Sequence, residues 1–134
     1  MRVLIVDNDI NTVETLKASL SGEKDLTIDT AYGGKDALGK MTANPDYALL
    51  VLDIMMPEVS GIDVCAVMVG SEKMRRIPVL LVSALPIESK EFQMSLNKFN
   101  ELAVIKGVME KPFSMSDFVI KVRAIIDGAK AGGR

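Results

Sequence analysis

Residues 49–64 read LLVLDIMMPEVSGIDV. An aliphatic run, Ala48–Leu52, has no polar alternation and stops at Asp53. Met56-Pro57-Glu58 follows as a turn, and Gly61 marks a position of special backbone geometry. Ile62, Val64, Cys65, Val67 and Met68 then recur at helical spacing. A continuous apolar strand suits a parallel sheet, where both faces are covered. The stretch is therefore a strand, an acid, a turn and a helix.

The same unit recurs along the chain. Val3–Val6 runs into Asp7-Asn8-Asp9, and Ile10, Val13, Leu16 and Leu20 share one helical face that stops at Ser21-Gly22. Leu26–Ala31 alternates polar and apolar, as a half-exposed edge strand does, and Ala37, Leu38 and Met41 mark a short helix ended by Asn44-Pro45. Val79–Val82 ends at Ser83, with Phe92, Leu96, Phe99 and Leu102 or Ala103 marking a fourth helix. A weaker strand, Gly107–Met109, precedes Lys111. The last helix spans about Ser114 to Asp127 on Phe118, Val119, Val122, Ile125 and Ile126, with Ser114 and Asp117 at capping-box spacing. Strand and helix alternate five times, which predicts an α/β domain: an open parallel sheet with helices on both faces. Residues 1–127 are expected to form this domain, and residues 128–134 a flexible Gly/Ala-rich tail or the start of a linker.

Composition narrows the chemistry. The 134 residues suit one core, with 49% hydrophobic and 25% charged residues. A net charge of −2, with 4% aromatics and no Trp, argues against direct nucleic-acid binding. With no His and one cysteine, Cys65, neither a Ser-His-Asp triad nor an intrachain disulfide is available. Cys65 lies in an apolar stretch and is expected to be a buried thiol. No signal peptide or membrane-length apolar run is seen, so a cytoplasmic location is expected.

Polar residues collect at the strand ends. Asp7, Asn8 and Asp9 follow the first strand, Asp53 the third, Ser83 the fourth and Lys111 the fifth. In a parallel sheet these ends share one rim, where ligands bind. Oxygen donors of this kind suit Mg²⁺, and a lysine with a hydroxyl suits phosphoryl oxygens. Each residue also has a plainer reading. Asp7 or Asp9 can cap the first helix, Asp53 can begin a turn, Ser83 can be a satisfied hydroxyl and Lys111 a solvated charge. Their common position at strand ends favours one site.

VLIVDND, LLVLDIMMPEVSGIDV, IPVLLVSA and MEKPF, in this order, resemble the receiver domain of two-component response regulators, including its single-domain chemotaxis type. The resemblance runs from Val3 to about Ile126. It implies a (βα)5, flavodoxin-like sheet of strand order 2-1-3-4-5. It implies that Asp53 is the phosphoacceptor for a sensor histidine kinase. Mg²⁺ would be held by Asp7, Asn8, Asp53 and the backbone carbonyl of Met55. Ser83 takes the place of the switch hydroxyl, Lys111 that of the phosphoryl contact, and Lys111–Pro112 is expected to be cis. The output is a change in the face formed by the fourth helix, fifth strand and fifth helix, read by a downstream protein or a fused output domain. That face is also a route to a homodimer. Such a domain is not an enzyme beyond catalysing its own phosphorylation and dephosphorylation.

Three features depart from the family. Asn8 replaces an acid, Val108 stands where an aromatic switch residue often does, and the Ser83–Lys111 segment is longer by several residues. Asn8 and Val108 keep open a pseudo-receiver that binds partners without phosphorylation. Asp7 and Asp9 also fit the DxD pattern of haloacid-dehalogenase-like phosphohydrolases. That reading leaves Asp53 and Met-Pro unexplained and lacks the Gly-Thr that follows the pattern.

Overall fold

The computed structural model describes residues 1–86, 89–90, 93–94 and 104–131. Five strands, β1 Arg2–Val6, β2 Thr27–Ala31, β3 Leu49–Asp53, β4 Val79–Ser83 and β5 Ile105–Glu110, form one parallel sheet in the order β2-β1-β3-β4-β5. Three helices, α1 Ile10–Ser19, α2 Gly34–Ala43 and α3 Gly61–Val69, precede a C-terminal helix, Met115–Ala131. The expected fourth helix on Phe92, Leu96, Phe99 and Leu102 or Ala103 lies outside the described residues.

The continuous apolar strands split by parity between the two faces, because successive side chains of a strand point oppositely. Val3, Ile5, Leu49, Val51, Leu80 and Val82 pack with Val13 and Leu16 of α1 and with Phe118, Val122 and Ile126 of the C-terminal helix. Leu4, Val6, Leu50, Leu52, Val79 and Leu81 pack with Ala37 and Met41 of α2 and with Ile62, Cys65 and Met68 of α3. The side chains of both layers are almost fully buried, and the three central strands β1, β3 and β4 carry them.

β2 is the edge strand that its alternation predicts. β5 is the other edge, which explains its weak apolar signal: most of its residues are only half buried. A register shift opposite Val79 and Leu80 further interrupts its pattern.

Several expectations need correction. Ile10 is 60% exposed, because it is the first residue of α1 and stands at the rim, beyond the sheet that buries Val13 and Leu16. Val67 is 48% exposed, on the outer side of α3. The C-terminal helix continues past Asp127 through Gly128 to Ala131, since no proline stops it and Ala and Lys favour helix. Gly132–Arg134 lie outside the described residues. In the turn after β3 the positive φ, 66°, belongs to Glu58, whereas Gly61 is required by close approach. Among the described residues no helix is long and apolar enough to cross a membrane.

Candidate functional site

The strand order reverses between β1 and β3, and the crevice beyond their carboxyl ends is where a doubly wound sheet binds ligands. β1 and β3 run in register with Val6 beside Leu52, so Asp7 and Asp53 emerge side by side. Asp53 and Ser83 are the last residues of β3 and β4, still within the ladder. Asp7, Asp53 and Ser83 are the buried polar or charged residues among those described, with exposures of 3%, 6% and 0%. Burying a carboxylate is costly unless it is paired. Two buried on one rim call for a counter-charge.

Lys111 supplies one. Its ammonium lies 3.1 Å from Oδ2 of Asp7 and 3.7 Å from Oδ1 of Asp53. Its own backbone N–H donates to the Ser83 carbonyl at 2.7 Å, and the peptide bond to Pro112 is cis, as expected. The first acid is thus the nearer partner of the lysine. Asp7 also accepts the N–H of Asp9 on Oδ1 at 2.9 Å.

One lysine does not neutralise two acids. Burial, reinforced by the charge of Asp7, pushes the Asp53 carboxyl up to about 6, against the opposing pull of Lys111 and of the Met55 and Ile54 N–H groups. The remaining negative charge and the oxygen donors fit a hard divalent cation. Only two carboxylates contribute: among the described residues no group of three or more His, Cys, Asp and Glu is placed to hold a metal ion. Asn8 is exposed next to Asp7 and brings an uncharged oxygen. Met55 has its side chain in solvent, 55% exposed, whereas Met56 is buried.

Asp9 has a different task. It is the N-cap of α1, with Oδ1 accepting the Asn11 N–H at 3.0 Å and Oδ2 accepting the Thr12 hydroxyl at 3.0 Å. Both of its oxygens face the helix, which disfavours the DxD reading. Ser83 Oγ accepts the N–H of Leu85 at 2.9 Å. That backbone partner left no signal in the sequence, because any residue other than proline supplies it. Cys65 is fully buried, and burial pushes its thiol up to about 12.

A shallow groove of about 330 Å³ borders the site, lined by Thr12, Thr15, Leu16, Pro112, Phe113 and Met115, with Lys111 at its edge. A larger cleft, of about 510 Å³, lies elsewhere, beside β2, where Arg2, Asp29 and Tyr47 contact one another at 2.6–3.1 Å. It has no part in this chemistry.

The response regulator receiver domain profile matches residues 3–123. The probable transcriptional regulatory protein SilR of Salmonella typhimurium is 32% identical over 127 residues, which cover 94% of this chain and 51% of SilR. The chain thus spans about half the length of that relative. The response regulator TrrA of Thermotoga maritima, solved in complex with Mg²⁺ and BeF, superposes with a TM-score of 0.73 at 29% identity, over 92% of this chain and 97% of TrrA. The signal receiver domain of a putative LuxO repressor from Vibrio parahaemolyticus has the same fold, with a TM-score of 0.81 at 20% identity over 98% of this chain and 94% of its own. Sheet order, helix placement and a profile match over most of the length agree: the chain belongs to the response regulator receiver domains of two-component systems.

Proposed function

We propose that Asp53 accepts a phosphoryl group from a phosphorylated histidine of a sensor kinase. The observation that carries this reading is that two buried carboxylates, Asp7 and Asp53, meet the Lys111 ammonium, while the Lys111 N–H is held by the carbonyl of the buried Ser83. A carboxylate oxygen of Asp53 attacks phosphorus, the P–N bond breaks, and the imidazole leaves with its electron pair. Such a transfer needs alignment and charge neutralisation more than an acid–base group. Lys111 lies within reach of both carboxylates and follows the phosphoryl charge as it arrives. Ser83, whose hydroxyl accepts from Leu85, keeps a proton to donate to a phosphoryl oxygen.

Asp7, Asn8, Asp53 and the Met55 carbonyl would hold Mg²⁺, the ion bound by TrrA. When bound, the ion supplies positive charge on the phosphoryl oxygens. The groove beside Lys111 offers apolar surface to the kinase. The output is carried by β5, the C-terminal helix and the preceding segment, where Val108, Ile120 and Lys121 border a second groove of about 330 Å³. A downstream protein, a fused output domain or a second copy in a homodimer reads that face. The site of action is the cytoplasm, without direct contact to nucleic acid or membrane, and without an enzymatic role beyond handling its own phosphoryl group.

A second reading is the pseudo-receiver, favoured by Asn8: with two carboxylates instead of three acids, the site holds a cation less tightly. Incubation with acetyl phosphate and Mg²⁺, followed by intact mass, separates the two. The first reading expects one added phosphoryl group on the wild type and none on Asp53→Asn. Its absence from the wild type selects the second.

A further inference from the structure

Two glycines bring neighbouring helices against the loop that follows Asp53. At Gly61, which opens α3, a methyl group would stand 2.4 Å from the Asp53 carbonyl oxygen. At Gly34, which opens α2, it would stand 2.7 Å from both the carbonyl oxygen and Cγ1 of Val59. Close packing forbids such distances, so α2 meets this loop backbone against backbone. At Gly39, in the same helix, a methyl group would meet nothing within 4 Å.

Val59 has little room to yield. Its N–H donates to the Pro57 carbonyl at 2.8 Å, and Glu58 before it holds a positive φ. Ser60 after it caps α3 in a reciprocal pair with Asp63. Gly61 N–H returns to the Ile54 carbonyl at 2.9 Å, closing the loop on the residue next to Asp53. A push on the Val59 carbonyl therefore travels toward Met55 and Asp53, because the turn cannot absorb it locally.

We infer that Gly34 is a positioning residue for the acceptor site: contact of the α2 N-terminus with Val59 sets the height of residues 54–61, and with it the Asp53 carboxylate and the Met55 carbonyl. The inference rests on the reading of Asp53 as phosphoacceptor. The atoms nearest a methyl group at Gly34 all belong to Val59, so Gly34 acts through that residue.

The test compares Gly34→Ala with Gly39→Ala. Amide NMR of the metal-free proteins, Mg²⁺ titration and the rate of phosphorylation by acetyl phosphate are read on each. Gly34→Ala is expected to shift the Asp53, Ile54 and Met55 amides and to lower Mg²⁺ affinity and rate by about tenfold to a hundredfold, the cost of a small misplacement. Gly39→Ala leaves all three unchanged and is at least as stable, since alanine favours helix. Val59→Ala removes the contacting Cγ atoms without a clash, and covers the case in which Gly34→Ala does not fold. It is expected to move the same amides, with a smaller loss of affinity. Amide shifts and Mg²⁺ affinity equal to those of Gly39→Ala, in either variant that folds, overturn the inference. A wild type that takes neither Mg²⁺ nor a phosphoryl group defeats the phosphoacceptor reading instead, and the amide shifts still decide whether Gly34 sets the loop.

Discussion

Asp53 is 6% exposed, beside a second buried acid, with one lysine between them. Its carboxyl is raised to about 6 by burial first and Asp7 second. The folded chain therefore holds a proton there that the unfolded chain releases near pH 4, and stability falls as pH rises between those values. In metal-free protein, Asp53→Asn should stabilise by about 2 kcal/mol at pH 7, with little effect below pH 4. Urea unfolding at the two pH values measures this, and equal effects at both would contradict it. Without metal, the Asp53 carboxylate is mostly ionised only above about pH 6. Asn8 makes a second prediction. Asn8→Asp adds a full charge to the donor set and should tighten Mg²⁺ binding on the order of tenfold, about 1.4 kcal/mol. Calorimetric titration of both proteins checks it; equal affinities would remove Asn8 as the weak point of the site.

At the scale of elements, one short stretch divides two jobs between its acids. Asp7 turns into the rim, and Asp9 turns to the first turn of α1. Asp9→Ala should cost about 1 kcal/mol of stability through the lost cap and leave acetyl phosphate labelling intact. Loss of labelling in a folded Asp9→Ala protein would revive Asp9 as a chemical group. Spacing alone leaves both acids open, because both follow the same strand; the family resemblance is what put Asp7 with the metal and left Asp9 as a helix cap or a nearby charge. Helical spacing likewise put Ile10 and Val67 on the buried faces. Spacing assigns a face but not where the neighbouring layer stops, and Ile10 lies beyond that edge.

For the whole molecule, the sheet was legible because β1, β3 and β4 are buried on both faces, and such strands show unbroken aliphatic runs closed by a polar residue. That punctuation also marked Asp7, Asp53 and Ser83, whereas Lys111 follows the weaker edge strand β5. Some pairings were not legible: Lys111 leans closer to Asp7 than to Asp53 and Gly34 bears on Val59 across the fold, while the Leu85 N–H, two residues on, holds Ser83. None has a local pattern, since each joins residues from separate elements or uses a backbone group. The central claim is that these elements assemble a working phosphoacceptor despite the missing third acid. Its most direct test is the intact mass of the protein after incubation with acetyl phosphate and Mg²⁺, alongside Asp53→Asn and a chelated control. The account predicts one phosphoryl group on the wild type alone, lost on chelation. An unmodified wild type, or equal labelling of Asp53→Asn, would contradict it.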